Sequence, residues 1–324
     1  MTEGNPLVCA YRLDAQGGGR SLDWPELEGA APGGGPTWVH LDRTQPGVRE
    51  WLAGPAGLDA VIVEAMLEAE TRPRYEPFDD GALIILRGVN LNPGADPEDM
   101  ISIRIWVEGE RLISTRARRL MAVQDLRERI EAGRGPQDLG ELLVAIAGGL
   151  IQRMGPVIDG LDEAADDIEE EVILKGRRDI RPKLIHLRQQ TIGLRRYLSP
   201  QREALSRILA EDRPWFHGRH KLRLREVADR TVRYIEDLDQ VRERASIVQD
   251  ELMNRLSEQM NRTMYVLTLV AAIMLPLGFL TGLLGINVGG IPGAENPAAF
   301  LIVCLALAVL VLFQVLIFRR LRWI

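Results

Sequence analysis

The chain has 324 residues, 46% hydrophobic, 5% aromatic and 27% charged, with a net charge of −6 and a pI near 5.5. Ordinary apolar content excludes a disordered chain, two distant cysteines (Cys9 and Cys304) exclude a disulfide scaffold, and four histidines in all exclude a Cys/His zinc finger or ribbon. The acidic balance argues against nucleic acid as a partner, because nucleic-acid binders present a basic face.

The N-terminal stretch mixes strands and helix. Leu7–Leu13, Trp38–Leu41, Gly81–Leu91 and Met100–Val107 are short and β-rich. Ile101, Ile103, Ile105 and Val107 alternate with other residues, and Glu108-Gly109-Glu110 reads as a hairpin turn into Arg111–Thr115. Leu58–Glu70 reads as a helix. Gly17–Gly19, Ala30–Pro36 and Asn92–Pro97 read as surface loops, and Gln16-Gly17-Gly18-Gly19 is loop composition, not a dinucleotide fingerprint. An α/β cytoplasmic domain is therefore predicted over residues 1–135.

From about Leu120 the pattern is helical, and residues 136–262 are assigned to a helical cytoplasmic region. Leu161–Glu171 carries Asp162, Glu163, Asp166, Asp167, Glu169, Glu170 and Glu171. It reads as a solvated helix face, or as a cation-attracting surface with Asp166 a tentative metal residue. The basic run Arg177, Arg178, Arg181, Lys183 can pair with it in a helical hairpin. His217 and His220 stand i, i+3 after Trp215-Phe216, a spacing that can bring two imidazoles together as tentative metal ligands. Two ligands do not make a site, and His40 and His186 read as structural.

Leu224, Val227, Thr231, Tyr234, Leu238, Val241, Ala245, Val248 and Leu252 fall on one heptad stripe. The stripe is either a coiled-coil-like stalk seam or an amphipathic face packed on its own domain. No Gly or Pro interrupts Lys221–Leu275. An unbroken helix over that stretch would be on the order of 80 Å long.

Residues 263–318 contain one charged side chain, Glu295, whereas residues 1–262 hold 37 Lys+Arg and 45 Asp+Glu. Thr263–Leu284 and Pro297–Phe318 are each 22 uncharged residues. As helices they would be about 33 Å long, enough for a hydrocarbon core of roughly 30 Å. They are predicted as transmembrane helices 263–284 and 297–318. Residues 285–296 form the connecting loop and 319–324 a basic tail. Asn296 reads as the second helix's N-cap, with Pro297 its first residue. Pro276 lies inside the first span, where a freed backbone group needs a neighbour to satisfy it.

Arg255 and Arg262 precede the first span, Arg319, Arg320 and Arg322 follow the second, and the connection has no Lys or Arg. The positive-inside rule places both termini in the cytoplasm. The start, Met1-Thr2-Glu3-Gly4-Asn5-Pro6, predicts no cleaved signal peptide. GxxxxGK[ST], GxSxG, HExxH and CxxC are all absent. No enzyme and no cofactor are expected.

The segment Leu275-Pro276-Leu277-Gly278-Phe279-Leu280-Thr281-Gly282 leads into Gly285-Ile286-Asn287-Val288-Gly289-Gly290-Ile291-Pro292-Gly293. This resembles the CorA superfamily of divalent-cation transporters, whose signature Gly-Met-Asn stands at the outer end of the first span. The Gly285-Ile286-Asn287 variant looks like the zinc-transporting ZntB branch. The resemblance extends more loosely to Trp38-Val39-His40-Leu41-Asp42 and Thr71-Arg72-Pro73-Arg74-Tyr75-Glu76. Gly278 stands where magnesium-type members often carry threonine.

The resemblance implies a funnel-shaped homopentamer: an α+β cytoplasmic domain, a long stalk helix and two transmembrane helices in a bacterial inner membrane. The first span lines the pore and the second faces lipid. Asn287 would ring the outer mouth and contact a hydrated cation through its amide oxygens. Met264, Thr268, Ala271, Leu275, Gly278 and Gly282 fall on one helical stripe, with Leu267 beside it, and this face is expected to line the pore. Met264, Leu267 and Leu275 would form hydrophobic constrictions, and Thr268 would offer hydroxyls. The alternative is that these residues pack between helices. Glu295 is either an acidic ring concentrating cations or a solvated loop carboxylate.

Zn²⁺ leads as cargo, with Cd²⁺, Ni²⁺ and Co²⁺ behind it, and a magnesium or cobalt channel of the same fold is the nearest alternative. Residue chemistry alone does not separate them. Proton coupling is open, since no carboxylate or histidine lies in either span. A membrane-anchored coiled-coil scaffold or sensor is the remaining alternative.

Overall fold

The computed structural model describes residues 6–29, 34–172, 180–285, 293 and 296–320. The chain divides into two compact units, Met1–Gln249 and Asp250–Ile324.

The first unit is built on a seven-stranded sheet. Its strands are β1 (Leu7–Leu13), β2 (Gly19–Ser21), β3 (Thr37–Asp42), β4 (Arg74–Pro77), β5 (Gly81–Gly88), β6 (Ile101–Glu108) and β7 (Arg111–Arg116). They lie in the order β2-β1-β3-β7-β6-β5-β4. Every pairing is antiparallel except β3 with β7, which is parallel. The expected hairpin joins β6 to β7 at Glu108↔Arg111, with Gly109 at φ 51° in its turn.

Strands β5 and β6 are apolar without interruption because both faces are covered. Leu83, Ile85 and Trp106 point to one side, against α1 (Trp24–Gly29), α2 (Val48–Ala53) and α3 (Ala60–Leu67). Ala82, Ile84, Leu86, Ile103, Ile105 and Val107 point to the other, against α4 (Met121–Glu131) and α5 (Leu139–Gln152).

Two strands lay outside the sequence reading. Gly19, placed in a surface loop, begins β2. Arg74–Pro77, which carries no strand signal in the sequence, forms edge strand β4. The stretch leading into it is held by arginines, Arg104 buried and Arg43 and Arg87 half-buried. Arg104 donates to Glu68 O at 2.6 Å, Arg43 to Leu67 O at 3.1 Å and Arg87 to Thr71 O at 2.7 Å. The guanidinium groups thus satisfy the Leu67 and Glu68 carbonyls where α3 ends and the Thr71 carbonyl beyond it. Burial, and the charges of Arg43 and Arg87, push the Arg104 pKa down to about 10.

The α5–α6 stretch Leu139–Glu170 is, by length and composition alone, apolar enough to cross a membrane. Within the fold α5 is a core helix. Leu142, Leu143, Ile146, Ala147 and Leu150 are buried against the sheet.

A further layer comprises α6 (Gly155–Glu170), α7 (Arg181–Ala210) and the first part of α8 (Gly218–Gly285). On α8 the buried residues are His220, Leu224, Ala228, Thr231, Ile235, Leu238, Val241, Ala245 and Val248. Those from Ile235 onward share a core with α6 and α7. Of the two readings of this stripe, packing on its own domain accounts for its burial up to Val248. Val227 and Tyr234, placed on the stripe by the heptad count, are only half-buried and flank it.

The second unit comprises the rest of α8 and α9 (Ala299–Arg320). Asn296 Oδ1 accepts from the Ala298 N–H at 2.9 Å, which caps the entry to α9. Helix α8 runs through Pro276 to Gly285. In α8 the half-shielded residues around the proline are Leu269, Ala272, Ile273, Pro276, Leu277 and Leu280. In α9 they are Ala299, Val303, Leu307, Leu310, Val311, Gln314, Val315 and Phe318. Each set is a single helical stripe, and a hydrogen bond from Gln314 Nε2 to Ala272 O, 3.3 Å long, joins the two.

Candidate functional site

The stripe expected to face a pore lies on the side of α8 that α9 leaves uncovered. Met264, Leu267, Thr268, Ala271, Leu275, Gly278 and Gly282 are all exposed within the chain. At about 100° per residue, their mean direction is roughly opposite that of Leu269, Ala272, Ile273, Pro276, Leu277 and Leu280. One side of the helix is therefore occupied by α9, and the other presents the candidate residues.

That surface is apolar and stepped. Ala271, Met274, Leu275, Gly278 and Phe279 line a shallow depression whose floor is opened by the missing side chain of Gly278. A Cβ placed on Gly278 or Gly282 would meet nothing within 4 Å in the chain. Leu275 stands out most, with 71% of its surface exposed. Thr268 is the polar member of the stripe. Its Oγ1 donates to Met264 O at 2.8 Å. The hydroxyl hydrogen is thus engaged, and the oxygen's lone pairs remain to accept from water.

Gly285 is the last residue of α8. Ile286, Asn287 and Glu295 lie outside the described residues, as do Arg177 and Arg178 of the basic run.

In the cytoplasmic unit, His217 and His220 do come together, with ring centroids 4.8 Å apart. The His220 ring is tied to a helix cap. His220 is fully buried, its Nδ1 accepts from the His217 backbone N–H at 3.2 Å, and its Nε2 accepts from Arg219 Nε at 3.4 Å. His220 Nε2 also lies 3.1 Å from Asp138 Oδ1. Asp138 is the N-cap of α5, accepting from Glu141 N, and Arg219 donates to it at 2.7 Å. Burial lowers the His220 pKa against the opposing pull of Asp138. For Asp138 itself, burial acts upward, but the Glu141 N–H and Arg219 outweigh it and hold the carboxyl below its ordinary range.

Asp166 sits elsewhere, on α6. Arg244 of α8 binds Asp162 at 2.9 Å, Glu169 at 3.0 Å and also Asp166. One guanidinium against three carboxylates leaves this face negative. Near it, burial and then Asp159 and Asp162 raise the Asp237 pKa. Among the described residues no group of three or more His, Cys, Asp or Glu is placed to hold a metal ion.

Gln314 was not singled out from the sequence. The available signal was an amide alone in an otherwise apolar span, opposite a span that carries a proline.

Residues 33–320 match the family described as CorA-like Mg2+ transporter protein. The chain is 41% identical to the divalent cation transporter CmaX of Pseudomonas aeruginosa, covering 98% of this chain and 97% of that protein. It is 37% identical to the zinc transport protein ZntB of Pectobacterium carotovorum, covering 98% and 96%. The full-length CmaX structure superposes with a TM-score of 0.86 at 40% identity, covering 99% of each chain.

Proposed function

Because the chain belongs to the CorA family of divalent-cation transporters, we propose that it passes hydrated divalent cations, Zn²⁺ foremost, through a pore lined by α8 of several copies. The observation that carries this reading is the two-sided character of α8. Its proline side is taken up by α9, and its Met264–Gly282 side is left for a path.

Two membrane helices cannot enclose water, so the path requires a ring of chains, and a homopentamer is the assembly proposed. Asn287 supplies amide oxygens at the outer mouth. Such a ring holds a hydrated dication weakly enough to release it, as conduction requires. Thr268 accepts hydrogen bonds from the ion's water shell. Met264, Leu267 and Leu275 form apolar constrictions that dewet when the path closes. Gly278 and Gly282 keep the wall low where the ion passes. Helix α9 faces lipid, both termini are cytoplasmic, and the membrane is the bacterial inner membrane. Glu295 concentrates cations outside, and the negative α6 face does so inside. Any proton coupling runs through water or groups at the membrane edge, because neither span carries a carboxylate or histidine.

Zinc rests on Gly285-Ile286-Asn287 and on the similarity to ZntB. A magnesium or cobalt channel is the second reading, favoured by the family's description. A scaffold role has no comparable support.

The test is metal influx into liposomes carrying the purified protein, with a zinc-responsive dye inside. Magnesium, cobalt and nickel serve as competitors, with the pH gradient either absent or imposed. Zinc influx that excess magnesium leaves intact is expected, and suppression by magnesium would favour the second reading. Asn287→Ala is expected to abolish selective influx while leaving assembly intact. Normal influx in that variant would remove Asn287 from the path.

A further inference from the structure

Proline has no N–H, so Pro276 cannot supply the helical hydrogen bond due to the carbonyl four residues before it, at Ala272. Ala272 O is therefore the one acceptor this proline leaves open, inside a span with no water to satisfy it. The bond to it comes from the other helix: Gln314 Nε2 donates to Ala272 O at 3.3 Å. Gln314 is the only amide side chain in α9, whose remaining residues before Arg319 are apolar except for the thiol of Cys304. Its Oε1 has no hydrogen-bond partner among the described residues. Placing an amide between apolar helices carries a desolvation cost, and the contact with Ala272 is its visible compensation.

We propose that Gln314 is a positioning residue for transport. It replaces the hydrogen bond missing at Pro276 and so pins α9 to the weakest point of the pore-lining helix. A helix bends most readily at a proline, and bending there parts the turn that carries Ala272 O. Gln314 resists that bending and so limits how often the path opens. The gating role rests on the transport reading given above, whereas the clamp itself does not.

The proposal is tested with four full-length proteins: the natural chain, Gln314→Met, Pro276→Ala and the double variant. Alanine at position 276 restores a backbone N–H to Ala272 O and makes the amide redundant. Zinc influx into liposomes and the unfolding midpoint in detergent are read on all four. With Pro276 present, Gln314→Met is expected to raise influx roughly three- to tenfold, the effect of losing one hydrogen bond, and to lower the midpoint. In the Pro276→Ala background, the same substitution is expected to change influx less than about twofold and to leave the midpoint in place. Failure of Gln314→Met to assemble, cured by Pro276→Ala, is the same result in extreme form.

Equal effects in both backgrounds, or no effect with Pro276 present, would overturn the proposal. So would failure to assemble in both backgrounds, which would make Gln314 a packing residue. If none of the four conducts, the transport reading falls and the gating role with it, while the midpoints still decide the clamp.

Discussion

Thr268 Oγ1 gives its hydrogen to the carbonyl oxygen of Met264, one turn earlier on α8, at 2.8 Å. This fixes what the hydroxyl can do for an ion. It cannot donate outward, but it can accept from the outward-pointing hydrogens of a cation's water shell. Thr268→Ser keeps that acceptor, and influx within about twofold of the natural chain is expected. Thr268→Val keeps the shape and removes the oxygen. A fall in zinc influx of about fivefold is expected, the scale of one hydrogen bond. Unchanged influx in Thr268→Val would take the residue off the path.

Leu275 is the most exposed of the large apolar side chains on the uncovered side of α8. A ring of such side chains closes a narrow path by excluding water. Leu275→Ala is expected to increase cation leak in liposomes before any gradient is imposed. If leak stays at the natural level, the constriction belongs to Met264 or Leu267.

Arg244 neutralises part of a carboxylate cluster and takes its raised pKa mainly from its hydrogen bond to Asp166. Arg244→Ala leaves Asp162, Asp166 and Glu169 facing one another. These pairs are partly exposed, so the cost is small, about 1 kcal/mol at low salt. A lower melting temperature is expected, restored by millimolar magnesium or zinc more strongly than in the natural chain. Equal metal response in the two proteins would show that this face does not gather cations.

His40 is fully buried in the sheet, its Nδ1 2.8 Å from Ser114 Oγ. Burial, followed by the charges of Arg116 and Arg127, pushes its pKa down to about 3. Above pH 6.5 the ring is neutral whether the chain is folded or not, and contributes no pH dependence. Below pH 6.5 the unfolded chain takes up a proton that the folded chain refuses until about pH 3. Stability is expected to fall over that window by up to about 1.4 kcal/mol per pH unit. Denaturant unfolding between pH 6.5 and 5 should show this slope, and His40→Asn should flatten it. Equal slopes would assign the dependence to another group.

The two spans were legible because membrane thickness is written into chain length: 22 uncharged residues twice over admit few other uses. The central strands were legible because apolar runs ended at turn residues such as Gly109. Edge strand β4 was not, since Arg74–Pro77 carries two charges and a proline, and it becomes a strand by pairing with β5. Nor was the choice between the two readings of the α8 stripe, because a heptad pattern does not reveal whether its partner is another copy or α6 and α7. Of the candidate site, the stripe from Met264 to Gly282 follows from helical period alone. The partnership of Gln314 with Ala272 does not, because it joins residues 42 positions apart. The gathering of Asp162, Asp166 and Glu169 around Arg244 is hidden for the same reason.

The parallel pairing of β3 with β7 has a consequence for how the chain is made. As synthesis proceeds from the N-terminus, strands β1 to β3 emerge first, with Trp38, Val39 and Leu41 on an unpaired edge. Its partner, Leu112 to Thr115, follows only after α2, α3 and the β4–β6 meander. Such a long-range seam closes slowly, and an open apolar edge invites pairing with another nascent chain. A ribosome stalled before Arg111 would hold a chain whose β3 edge has no partner, and release of β7 from the exit tunnel supplies that partner.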